Sequence, residues 1–115
     1  MIKDETKKLI DKAIEIELQN ALEQKEFADA HHAYAILKEE LEEAEFYFRV
    51  CCFQLEEEVW RNIKDDEMQE AKSAFNVILQ RSKRAMAELA RVAAVCEKVQ
   101  RQRLQREPKM DRQEE

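Results

Sequence analysis

Glycine is absent from the 115 residues, and proline occurs once, at Pro108. These two residues mark most tight turns and element breaks, so their scarcity disfavours strands and short hairpins and leaves few places for the chain to reverse. Long apolar runs are also missing, and none approaches the roughly 20 residues that a membrane-spanning helix needs. The first residues, Met1-Ile2-Lys3-Asp4-Glu5, lack the basic-then-apolar order of a signal peptide. Secretion and membrane insertion are therefore disfavoured, and a cytoplasmic location with no membrane partner is expected. Cysteine is scarce, with only Cys51, Cys52 and Cys96 and no C-x-x-C pair among them. An odd count at apolar helical positions points to reduced interior residues rather than a disulfide framework.

What is present is charge and helix formers. Charged residues make up 40% of the chain and hydrophobic residues 44%. A mixture dominated by Ala, Glu, Lys, Leu, Arg and Gln is that of long helices or coiled coils, and the periodicity of the apolar residues argues against disorder. The net charge of -6 disfavours non-specific nucleic-acid binding by the whole chain. That charge is uneven: Leu37 to Glu70 holds twelve acidic and four basic residues, whereas Ala71 to Arg106 holds nine basic and two acidic. Long amphipathic helices in so short a chain leave an apolar stripe uncovered unless another subunit covers it. A homo-oligomer, dimer or tetramer, is expected.

Three helices are predicted. The first runs from about Lys3 to about Lys25, with Leu9, Ile10, Ala13, Ile14, Leu18, Ala21 and Leu22 at three- and four-residue spacing. Phe27-Ala28-Asp29-Ala30-His31 interrupts it, and Asp29 is the natural N-cap for a second helix that continues to about Lys64. One stripe of that helix is Leu37, Leu41, Ala44, Phe48, Cys51 and Leu55. Beside it, Ile36, Glu40, Glu43, Tyr47 and Val50 bracket two carboxylates with apolar residues. Lys64-Asp65-Asp66-Glu67 is the one good turn in the latter half, because Asp favours caps and turns and acids suit a helix N-terminus. The third helix is predicted from about Glu67 to about Arg106. Between Ala85 and Cys96 it is apolar almost all round except for Glu88 and Arg91, the pattern of a helix buried on all sides. The expected architecture is all-α: a single domain over residues 1–106, three helices including a long antiparallel helical hairpin, assembling into an oligomeric bundle. Residues 107–115 are expected to form a disordered tail.

If the turn centres between Asp65 and Asp66, residues of the second and third helices stand level when their numbers sum to about 131, because both rise equally per residue. Glu43 with Glu88 meets that condition, and so does Glu40 with Arg91. Carboxylates clustered on facing helices suit a hard divalent cation such as Mg²⁺, which takes oxygen ligands and keeps several waters. Glu39, Glu40, Glu43 and Glu88 are the candidate ligands. Glu-rich helices also produce E-E-x-x-E by chance, in which case Glu39 and Glu42 belong to the solvated face.

His31-His32-Ala33-Tyr34-Ala35-Ile36-Leu37-Lys38-Glu39-Glu40-Leu41-Glu42-Glu43-Ala44 resembles the H-E-G-Y-A-x-x-x-E-E-x-x-E stretch of MazG-like proteins, all-α nucleoside triphosphate pyrophosphohydrolases. Ala87-Glu88-Leu89-Ala90-Arg91-Val92-Ala93-Ala94-Val95-Cys96-Glu97-Lys98 is similar to the E-A-x-Q-V-A-A-M-x-x-K stretch of small, often phage-encoded members, and Val59-Trp60-Arg61-Asn62-Ile63-Lys64 to their L-W-x-x-V-K segment. The resemblance spans about Ile14 to Lys98. It implies Mg²⁺ held by E-E-x-x-E on one helix and E-x-x-D on the next, with water attacking the α/β phosphate linkage to release pyrophosphate. Residue by residue, it assigns Glu39, Glu40 and Glu43 to the first motif and Glu88 to the second, with Glu43 the catalytic candidate. Arg91, Lys98, Tyr34 and Trp60 would contact the nucleotide. Two positions depart from the pattern: Arg91 stands where the final Asp belongs, and Ala33 replaces the Gly. A guanidinium cannot bind a cation and at its level would reach Glu40.

Three functions are compatible with these residues: Mg²⁺-dependent hydrolysis of nucleoside triphosphates, nucleotide sequestration through Arg91 without catalysis, and a helical protein-interaction module in which Arg91 is only an ion-pair partner. Trp60 beside Val59 and Ile63 also suits packing. His31 and His32 lack a His or Cys partner at ligand spacing, which disfavours zinc. The run Lys98, Arg101, Arg103 and Arg106 lacks the interleaved aromatics of a nucleic-acid surface.

Overall fold

The computed structural model describes residues 1–102, and every regular element among them is helical. The elements are α1 (Asp4–Leu22), α2 (Ala30–Phe53), a π-helical stretch (Gln54–Val59), α3 (Trp60–Lys64) and α4 (Met68–Arg101). No break separates α2, the π-helical stretch and α3, so they form one rod over residues 30–64. The first helix is shorter at both ends than its periodicity suggested, and α4 ends at Arg101, with Gln102 in a bend. The expected tail, residues 107–115, lies outside the described residues.

The chain divides into two compact units, Met1–Glu40 with the segment beginning at Ala90, and Leu41–Leu89. The boundary falls inside α2 directly after Glu40, and inside α4 directly after Leu89.

In the first unit, Phe27, Ala33 and Val95 form a small buried cluster with Ile36, Leu37 and Val99 against it. Leu18 is the only large side chain fully buried in the described chain, at 1% exposure. Leu9, Ile10 and Ile16 of α1 stay exposed. The entry to α2 is capped from both sides. The Asp29 Oδ1 accepts the His32 N–H at 2.9 Å, and His32 Nδ1 accepts the Ala28 N–H at 3.0 Å. The arrangement is a variant of the capping box, with His32 reaching past the cap residue to the N–H of Ala28. The expected N-cap is therefore in place, and His32 has a structural task.

With no glycine available, α1 closes differently. The Lys98 ammonium donates to the carbonyls of Ala21 at 2.9 Å and Lys25 at 2.8 Å, and lies 4.7 Å from the Phe27 ring centroid. A cation at a helix C-terminus satisfies orphan carbonyls and complements the dipole. Just past the end of α4, the Gln102 amide accepts from Phe27 N–H and donates to Phe27 C=O. Both polar groups of that loop residue are thereby paired.

In the second unit, the rod ends in a Schellman motif. Glu67 N–H bonds Asn62 C=O at 2.8 Å and Asp66 N–H bonds Ile63 C=O at 3.1 Å, with Asp66 at φ 58°. Asp tolerates this left-handed position that glycine usually fills. Ala44, Ala71 and Ala74 are buried, and small side chains let helices approach closely. Cys51 Sγ contacts Ile78 C=O and Ser82 Oγ, and the Arg84 guanidinium donates to Tyr47 Oη at 2.9 Å. Cys51, Cys52 and Cys96 are free and half-buried.

Two expectations are corrected. The stripe read with a single α-helical period placed Leu55 inward, yet it is 52% exposed while Val59 is 2% exposed. Leu41 and Phe48 of the same stripe are exposed too, ahead of the π-helical stretch, so the stripe faces a side that no other helix covers; the wide turns of that stretch account for the next buried residue being Val59, eight positions after Cys51, rather than seven. The apolar stretch of α4 is not buried all round either: Ala94 and Val95 are, but Met86 and Leu89 are exposed, because the neighbouring helices cover only one face.

Replacing Asp66 by Gly removes the left-handed penalty and is expected to stabilise the fold by about 0.5–1 kcal/mol. Asp66→Val, with a branched Cβ at the same φ, is expected to lower the melting temperature. Thermal unfolding followed by circular dichroism checks both.

Candidate functional site

Glu40 and Glu43 sit one turn apart on α2, a spacing that places two side chains on the same face. In the second unit, a carboxylate oxygen of Glu43 lies within 4.8 Å of one on Glu88 of α4. Glu40 and Glu88 are half-buried, and Glu43 is exposed. The Oε1 of Glu40 is buried and accepts no hydrogen bond. Glu39 is exposed and stands apart from this group, in keeping with the solvated face of α2.

Arg91, one turn after Glu88 on α4, belongs with α1 and the start of α2. Its Nη1 lies 3.5 Å from Glu40 Oε2, and its Nε lies 3.7 Å from Glu17 Oε1. These are long pairs, and the Arg91 side chain is 55% exposed against 17% for Glu40. An ion pair of that exposure is worth little, on the order of 0–1 kcal/mol. The guanidinium does reach the carboxylate predicted to stand level with it. Glu17 was missed by sequence reasoning. Its only trace is its place beside Leu18, the buried residue of α1.

Arg91 also lines a cavity of about 240 Å³ in the first unit, together with Glu17, Asn20, Gln24, Lys25, His32 and Glu40. The wall is completed by Phe27, Ile36, Val95 and Lys98. Polar groups of both signs thus converge over an apolar floor, the usual makeup of a small-ligand site, although the volume falls below the roughly 300 Å³ of typical ones.

The remaining expected nucleotide contacts are placed differently. Lys98, expected beside a triphosphate, holds the end of α1, and its residue is 5% exposed. Two of its three ammonium hydrogens are engaged, which leaves at most one for a ligand. Tyr34 is exposed on α2. Trp60 is also exposed, with the Lys64 ammonium 5.9 Å from its ring centroid, and it lines an apolar groove in the second unit. That setting favours packing over base stacking.

No protein-family model, no curated protein and no solved structure matches this chain. Function therefore rests on the residues themselves.

Substituting Lys98 by Met keeps the stem and removes the charge, so that the Lys25 carbonyl loses its ammonium donor and the Ala21 carbonyl keeps only the Gln24 N–H. The expected loss is about 2 kcal/mol or more, since hydrogen bonds from charged donors contribute about 1.5–3 kcal/mol each. It would be read as a lower urea midpoint at unchanged slope.

Proposed function

We propose that this protein is a MazG-like nucleotide-binding protein that hydrolyses nucleoside triphosphates to monophosphate and pyrophosphate with the help of Mg²⁺. The single observation that carries this reading is the approach of the Glu43 and Glu88 carboxylates, with Glu40 one turn back on the same helix. Carboxylate oxygens gathered this closely suit a hard divalent cation, which takes oxygen ligands. The antiparallel course of the rod and α4, which such a site requires, is supported by the Tyr47–Arg84 and Cys51–Ser82 contacts.

In this reading Glu43 and Glu88 hold the ion, which when bound would neutralise phosphate charge and lower the pKa of a coordinated water. Glu43, the exposed member, accepts a proton from the attacking water. Arg91 lends its exposed guanidinium to a phosphate oxygen, where its fork geometry suits two parallel hydrogen bonds. Its pairs with Glu40 and Glu17 are long enough to be exchanged for that contact.

A second reading is favoured by Arg91 itself. A guanidinium within 3.5 Å of Glu40 already supplies positive charge where the family motif has an Asp. With that charge built in, the cavity binds nucleotide anions and sequesters them without turnover.

The expected outcome is Mg²⁺-dependent pyrophosphate release from at least one nucleoside triphosphate, abolished in Glu43→Gln and Glu88→Gln. Metal-stripped protein is expected to gain about 2.7 kcal/mol at a ligand concentration about 100 times Kd, seen as a higher melting temperature. Nucleotide stabilisation without Mg²⁺ or turnover, lost in Arg91→Ala, selects sequestration. If neither nucleotide nor Mg²⁺ shifts the melting temperature, both readings fall and a helical protein-interaction module is left.

A further inference from the structure

Where the rod widens, the second unit carries a polar depression that the chemistry at Glu43 and Glu88 does not use. It has a volume of about 390 Å³ and is lined by Gln54, Glu58, Arg61 and Asn62 of the rod and by Glu70 and Ser73 of α4. Ala74 and Val77 complete its wall. Gln54 opens the π-helical stretch, and Glu58 is its last residue but one. Such turns are rare inside α-helices and recur at functional sites.

Asn62 is the residue that asks for a ligand. It is 8% exposed, and its side-chain amide has no hydrogen-bond partner among the described residues. Its main-chain carbonyl is occupied, accepting the Glu67 N–H at 2.8 Å. A buried amide that pairs with nothing costs free energy, and an apolar side chain of similar shape would fill the position at less cost. Asn62 lines the depression, from which a ligand supplies the missing partner.

We propose that this depression binds an alkylguanidinium group. Charge fixes the sign of the ligand. Seven acidic and two basic residues lie between Gln54 and Glu70, and a field of one sign raises the local concentration of the opposite ion. Within the depression Arg61 is already taken by Glu58 at 2.6 Å, while Glu70 holds no ion pair among the described residues. The free acceptors are therefore the Glu70 carboxylate on α4 and the Asn62 amide oxygen on the rod.

Acceptors on two helices select the shape of the cation. A guanidinium presents five N–H donors in a rigid fork, so it gives two to the Glu70 carboxylate and a third to the Asn62 oxygen. An ammonium is a compact point charge that holds its water more strongly, whereas the weakly hydrated face of a guanidinium rests well against Ala74 and Val77. The group reaches the site either on a free small molecule or on an arginine side chain of a partner protein, and its chemistry at Glu70 and Asn62 is the same for both. The inference is independent of any metal or nucleotide bound elsewhere on the chain.

Titration of the full chain with butylguanidinium, followed by heteronuclear NMR, tests it. The side-chain amide signal of Asn62 is expected to shift and saturate, with Kd on the order of 1 mM. Butylammonium, with the same charge but no fork, is expected to bind about tenfold more weakly. Glu70→Gln is expected to cost butylguanidinium about tenfold in affinity. Asn62→Leu is expected to weaken binding likewise while the melting temperature holds or rises, because it removes an unpaired buried amide. A capped glycyl-arginyl-glycine peptide separates the sources: affinity equal to that of butylguanidinium assigns the site to free small molecules, and affinity about tenfold higher assigns it to an arginine of a partner protein. No saturable shift at Asn62, equal binding of butylammonium, or full affinity in both variants overturns the inference.

Discussion

A single ammonium group holds the first unit together. Lys98 reaches from α4 to the Ala21 carbonyl in the last turn of α1 and to the Lys25 carbonyl in the loop beyond it, and the same nitrogen lies over the Phe27 ring. A chain without glycine has lost its usual means of ending a helix and turning, so the terminal carbonyls must find a donor elsewhere. Supplying it from α4 makes a local feature, the end of α1, depend on a residue more than seventy positions away. Gln102 repeats the arrangement on the loop backbone at Phe27. The direction in which α1 leaves the loop, and with it the position of Glu17 near Arg91, follows from these contacts.

The carboxylates answer to a different constraint. A partly buried carboxylate needs a cation or a set of donors. Glu40 has the Arg91 guanidinium on one oxygen and no hydrogen bond on the other. Arg91 is thus the one cation placed against Glu40 among the described residues. Its pairs are long and its side chain is 55% exposed, so this contact is held weakly. Lys98 has no such freedom, because it is 5% exposed and two of its ammonium hydrogens are held by the Ala21 and Lys25 carbonyls.

Much of the fold was legible in the sequence because it depends on local rules. Asp29 as a cap, the rod ending at Lys64 and the turn at Asp65 and Asp66 all follow from side chains acting within a few residues. Equal rise per residue then sufficed to set Glu40 level with Arg91 and Glu43 level with Glu88. What stayed hidden was non-local or non-ideal. Nothing in the motif around Lys98 announced that its ammonium would end another helix. Burial was also overestimated, since periodicity marks apolar faces but not whether the chain has enough helices to cover them. The division of the chain inside α2 and α4 leaves no composition change to read.

The wide turns between Gln54 and Val59 slip the rod's phase. Here the sequence held a faint trace: seven residues beyond Cys51 stands Glu58, and the apolar residue is its neighbour Val59. A π-helical stretch is equivalent to one residue too many in an α-helix. The rod therefore contains a slack point, a place where the chain could lose one residue and wind more tightly rather than break. Among relatives of this chain, that is where a difference in length of one residue would be accommodated without disturbing either the cap at Asp29 or the turn at Asp66.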